Sequence, residues 1–224
     1  MLQLNLNQEF LQRRCNFLFN SGQLRYNFEC MEIEKDNLEN GIHPLHESLY
    51  IECILSATES ANSSLEEIDF ILYDPKLIEN IGLKIIDLCE NIIIQAGIIS
   101  KYFDPPSKKK IHKLRGEKLR KSFQIEDGSF IMNRDFRNHI EHFDERLDTF
   151  LKNPIIGEII PKSLFQSSIE INSIKTVFKA FVIDEEKLIS LGEEIKIVPL
   201  MKEIYRIHDF SLGFINNGGR LPNP

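Results

Sequence analysis

The sequence predicts a mainly α protein: an antiparallel helical bundle followed by a small carboxy-terminal three-stranded β-meander and a helix. Three observations predict it. Apolar residues recur at three- and four-residue intervals through the first two thirds of the chain. Turn signals at His43-Pro44, Asp74-Pro75, Asp104-Pro105-Pro106 and Asn153-Pro154 punctuate those stretches. Beyond them, short apolar runs replace the helical pattern. The pattern divides the chain into a bundle over 1–153 and a small α+β appendage over 154–224 with a loose tail. With 224 residues, 42% hydrophobic and 27% charged, the composition excludes a disordered or low-complexity protein.

Each element has a local reason. A first helical region is expected from about Asn7 to Asn37, with Phe10, Phe17, Leu18 and Phe28 among polar residues and a break near Ser21-Gly22. His43-Pro44 starts the next helix, which carries Tyr50, Ile54, Ala57 and Ala61 on one face. Ser63 and Glu66 fit a capping box for a separate short helix through about Leu72. Asp74-Pro75 opens a long helix to about Tyr102. Its two apolar stripes, Ile78, Ile81, Ile85, Leu88, Ile92 and Ile99 beside Leu77, Ile86, Cys89 and Ile93, predict burial on several sides. A basic helix over 107–122 and a helix from about Asn133 to Lys152 follow. Thr176–Ile183, Lys187–Leu191 and Glu194–Val198 then read as the meander, with a last helix from about Pro199 to Asp209.

Charge is unevenly spread. The net charge is −7, yet residues 101–152 hold 13 basic and 9 acidic side chains against 6 and 16 in residues 1–100. Lys108, Lys109, Lys110, Lys113, Arg115, Lys118, Arg120 and Lys121 stand against Glu117 alone in 14 residues. Such a segment can hold a phosphate backbone by counterion release, and RNA is the expected partner.

Met1–Phe10 is polar and unlike a secretory signal, and Ile81–Ile99 is interrupted by Lys84, Asp87 and Glu90, so no membrane partner is expected. Cys15, Cys30, Cys53 and Cys89 form no C-x-x-C pair. Reduced thiols and a cytoplasmic location are the expectation. His43/His46 and His139/His142 share a spacing of three without a third ligand, and no Gly-rich phosphate loop or nucleophile elbow occurs, so neither metal nor cofactor is expected.

The chemistry concentrates in Arg137-Asn138-x-x-x-His142. On a straight helix of about 100° per residue, Phe136, Ile140, Phe143, Leu147 and Phe150 share the core face. Arg137, Asn138, Glu141 and His142 fall on the opposite arc. Arg134 and His139 form an overlapping second register, and Glu141, four residues from Arg137, is a further candidate or a simple surface ion-pair partner.

The string Arg137-Asn138-His139-Ile140-Glu141-His142 resembles the R-x4-6-H signature of the HEPN superfamily. With ten arginines and six histidines the bare spacing is expected about once by chance, and the polar residue after the arginine is what makes the match selective. The resemblance implies an HEPN-like bundle over 1–153 acting as a homodimer, with Arg137, Asn138 and His142 as catalytic residues of a metal-independent endoribonuclease. A histidine, with an ordinary pKa near ~6.5, can take a proton from a ribose 2′-hydroxyl or give one to the leaving 5′-oxygen. An arginine holds the phosphate, and the products are a 2′,3′-cyclic phosphate and a 5′-hydroxyl. A toxin or antiphage role, restrained by an antitoxin or regulatory protein, belongs to the same resemblance. The alternative is a non-catalytic helical module that binds nucleic acid or protein.

Overall fold

The computed structural model describes residues 41–155, 157–171 and 174–222; the helical region expected over 7–37, with Cys15 and Cys30, lies outside the described residues. The protein is mainly helical, with a small sheet near the carboxy terminus and a final helix packed back on the bundle.

A 3-10 turn at Pro44–His46 leads into α1, Glu47–Tyr73. The helix boundary expected at Ser63 does not occur. Ala61, Leu65, Ile68 and Ile71 are buried and continue the stripe of Ile54 and Ala57, so packing against the neighbouring helices carries the chain through a local start signal. After Asp74, whose side chain accepts from the Lys76 N–H at 2.9 Å, come α2, Pro75–Ile81, and α3, Lys84–Phe103. The single long helix expected over this stretch is therefore two. Ile81 remains 42% exposed, while Ile85, Ile86, Ile92, Ile93 and Ile99 of α3 are fully buried or nearly so.

Next come α4, Lys110–Ser122, then α5, Arg134–Glu141, and α6, Phe143–Leu151. Among the described residues six strands follow: β1 Glu158–Ile160, β2 Ser163–Phe165, β3 Lys175–Val177, β4 Lys179–Val182, β5 Lys187–Ser190 and β6 Glu193–Lys196. The last helix, α7, runs over Ile197–Asn216, longer than expected at both ends.

The expected meander is β4-β5-β6, antiparallel, and β2 extends it in parallel to give the order β2-β4-β5-β6; β1 and β3 pair separately. The expected first strand over 176–183 is divided at Phe178 between β3 and β4. The β5–β6 loop is Leu191-Gly192 rather than Gly192-Glu193. Both of its residues have positive φ, 52° and 79°, the conformation a two-residue hairpin needs to match strand twist.

Alternation sorts the sheet into two faces. Phe181, Leu188 and Ile195 lie side by side in register and join the main helical core. Ala180, Val182 and Ile189 face the other way into a smaller cluster with Phe165 and Val177. The main core also takes Leu200, Ile204 and Ile207 from α7 beside Ile54, Ile92, Phe103 and Phe123. The main core thus draws residues from both sides of the boundary expected near residue 153, and the smaller cluster only from beyond it. Cys89 sits inside this core and burial pushes its thiol well above the usual range, whereas Cys53 is exposed. Among the described residues, no helix is long and apolar enough to cross a membrane.

Candidate active site

The segment expected as one helix from Asn133 to Lys152 is broken at His142. Asn133 caps α5, its side chain accepting from the Asp135 N–H at 2.9 Å. His142 then leaves the helical conformation, with φ −121° and ψ 32°. Helical hydrogen bonds persist on both sides: His142 N–H donates to the Asn138 carbonyl at 3.1 Å, and Arg146 N–H donates to the His142 carbonyl at 3.0 Å. Packing supplies the reason for the break. α5 lies on α3, while Phe143 and Phe150 of α6 meet Phe178 beside the sheet at ring-centroid distances of 6.3 and 6.5 Å. Asp144 and Glu145 in the first turn favour a new helix start at Phe143.

The break corrects the straight-helix arrangement of the motif. Asn138 is exposed on the last turn of α5, and His142 is exposed at the junction itself. The His142 side chain keeps 54% of its surface, with Nδ1 3.6 Å from the Glu145 carboxylate. Glu141 is ion-paired with Lys101 at the end of α3. The side chains of Arg134, Phe136, Arg137 and Ile140 lie outside the described residues.

His139 behaves differently from its neighbour. It is 5% exposed, with Nδ1 3.3 Å from Glu193 Oε2. A carboxylate can only accept, so the ring carries its proton on Nδ1. Burial holds His139 below the usual histidine range; Arg146 and Lys179 add to that effect and Glu90 opposes it. Glu193 is also ion-paired with Arg146. The same carboxylate thus ties α5 and α6 to the sheet.

The register explains this meeting. Lys179, Ser190 and Glu193 form a row across the sheet on the same face as Phe181, Leu188 and Ile195, and therefore point at the helices. Lys179 pairs with Glu90 of α3 at 2.5 Å and lies 4.9 Å from the Phe143 ring centroid. A cleft of about 500 Å³ opens beside this row, with His139, Arg146, Glu193, Asp135 and Lys196 in its walls. Lys179, Glu193 and Arg146 are absent from the sequence-level candidates. The hairpin signal at Gly192 is the feature that fixes the register of Glu193.

The basic segment separates into two groups. Arg115 donates to the Lys101 carbonyl at 3.2 Å and Arg120 to the Phe103 carbonyl at 2.8 Å, satisfying carbonyls left open at the end of α3. Lys118 pairs with buried Glu47 at 2.6 Å. Gly116 permits this approach, since a Cβ there would lie 2.8 Å from the Phe103 carbonyl oxygen. Lys108, Lys109, Lys110, Lys113 and Lys121 remain exposed, with no ion pair among the described residues. Lys101 joins the two regions, its carbonyl held from α4 and its ammonium from α5.

Among the described residues no three His, Cys, Asp or Glu side chains converge as a metal site would require. No family model matches the chain, and neither a curated protein nor a solved structure matches it.

Proposed function

We propose that the protein is a HEPN-type endoribonuclease that cuts RNA without a metal ion. The observation that carries this reading is the exposure of Asn138 and His142 one turn apart at a helix junction, in the Arg-Asn-x-x-x-His pattern. The buried, Glu193-bound His139 favours the Arg137/His142 register over Arg134/His139. The exposed lysines at 108–110, 113 and 121 supply a track for the backbone.

The chemistry follows from these groups. His142 takes the proton of a ribose 2′-hydroxyl, and the 2′-oxygen attacks phosphorus as the P–O5′ bond breaks. The leaving 5′-oxygen takes a proton, supplied in a homodimer by the second copy's histidine. The motif assigns Arg137 to the phosphate and Asn138 to orienting the substrate. A toxin or antiphage role under the control of an antitoxin is the biological setting of this reading, with the cytoplasm as its place.

The test is a gel assay of wild type, Arg137→Ala and His142→Ala on total RNA and on a defined transcript, with and without EDTA. Cuts that survive EDTA and vanish in both variants are expected. Cleavage that needs metal, or that persists in both variants, would sink the proposal. One observation favours a second reading, a non-catalytic RNA-binding module: Glu141, His139 and Arg146 all make structural pairs around the motif. That reading expects salt-dependent RNA binding, lost on charge reversal of Lys108–Lys110, and no cleavage by wild type.

A further inference from the structure

Three residues before His142 and four after it, two side chains from different helices meet on one carboxylate. His139 of α5 and Arg146 of α6 both pair with Glu193, the first residue of β6. The Leu191-Gly192 turn sets where that carboxylate stands, because its two positive-φ residues fix the hairpin register and with it the face Glu193 occupies. The first residue of α6 is held as well. Phe143 packs edge-on to His139 at 6.0 Å and sits under the Lys179 ammonium, itself paired with Glu90. Between these anchors His142 is exposed, its Nδ1 lying 3.6 Å from the exposed carboxylate of Glu145.

We infer that Glu193 is a positioning residue for His142: its carboxylate clamps α5 and α6 on either side of the junction and so sets the place and direction of the histidine. This rests on the reading of His142 as the catalytic group. It gives the carboxy-terminal sheet a role in the site, since the sheet presents Glu193 to the motif helices. A carboxylate shared by a neutral imidazole and a guanidinium is well suited to fixing two helices, because the guanidinium bond is charge-assisted and the imidazole bond is directional. The groups facing His139 are Glu193 and Arg146 on one side and Glu90 and Lys179 on the other.

The experiment uses the full chain with labelled histidines, the His142 ring signals being identified by their loss in His142→Gln. Glu193→Ala should move the His142 signals, and Arg146→Ala should move them similarly. Glu194→Ala, a neighbour that pairs with Lys187 instead, should leave them in place. In the cleavage assay Glu193→Ala should lower kcat by about 10- to 100-fold, the scale of a displacement near ~1 Å, with little change in KM. Glu193→Gln, which keeps an acceptor for His139, should recover part of that loss.

His142 signals unmoved in folded Glu193→Ala, or moved equally in Glu194→Ala, would overturn the inference. Should the alanine variant fail to fold, Arg146→Ala, which removes one arm of the clamp, carries the same comparison of signals. Absence of cleavage by wild type would count against the ribonuclease reading, and the ring signals would then decide the clamp on their own.

Discussion

α1 and the α5–α6 pair are held by different forces. α1 runs 27 residues unbroken and buries Ile51, Ile54, Ala57, Ala61, Ile68 and Ile71 along its length. α5 and α6, of 8 and 9 residues, meet at a break, and α6 buries no residue fully. Apolar burial holds the first; among the described residues, a buried histidine, a shared carboxylate and half-buried rings hold the second. The first mechanism is non-directional and keeps a helix regular. The second is directional, and His142 stands exposed between its contacts.

Matched truncations give the largest contrast. Ile54→Ala should destabilise the fold by about 3 to 4 kcal/mol, as expected for a fully buried aliphatic side chain, while Phe143→Ala should lose about 1 to 2 kcal/mol because its ring is only half-buried. Urea unfolding of the two variants checks this, and equal losses would break the comparison.

A pH effect follows within α1. Asp69 is pushed up to about 6 by burial, with Glu186 and then Glu66 adding repulsion. Its folded pKa therefore exceeds its unfolded one, so the favourable proton is present at low pH and lost as pH rises through about 6. Asp69→Asn should stabilise the protein at about pH 7.5 by on the order of 2 kcal/mol, and the gain should shrink as pH falls toward about 4. A gain independent of pH would contradict this origin.

At α5 the sign is reversed. His139 is held below the usual histidine value, so the unfolded chain takes up a proton first as pH falls. Its contribution is intact above ~6.5 and is lost as pH drops through the lower folded value. His139→Gln should flatten the decline in stability between about pH 7.5 and about pH 5, read from urea midpoints. The smallest effect is expected at the exposed lysines. Reversing Lys108, Lys109 and Lys110 should change stability by no more than about 0.5 kcal/mol each while weakening RNA binding with a lower salt dependence.

Much of the fold is legible in the sequence where burial and local pattern agree. The helix starts at His43-Pro44 and Asp74-Pro75, the basic helix after Pro106 and the antiparallel meander all follow from residues within a few positions of one another. Ser63-Glu66 shows the opposite case. A sound local start signal sits inside α1 because the apolar stripe continues past it into contact with α3 and α7. His142 shows the converse: nothing in Glu141-His142-Phe143 itself announces a break, yet the helix ends at Glu141 and restarts at Phe143. Of the site, Asn138, His142 and the lysines of 108–121 are visible in the chain. Glu193 and Lys179 are not, because their relevance depends on a strand register more than 30 residues downstream of the motif.

By itself the sequence determined the helical class, the meander, the concentration of positive charge after Pro106 and the Arg137-Asn138-x-x-x-His142 spacing. Periodicity, turn chemistry and charge are properties of neighbouring residues. The tertiary structure decided which histidine is exposed, which of the eight cations are engaged at the end of α3, and which carboxylate holds the motif. Those outcomes depend on which surfaces meet across the core, and that is settled by packing among residues distant in the chain.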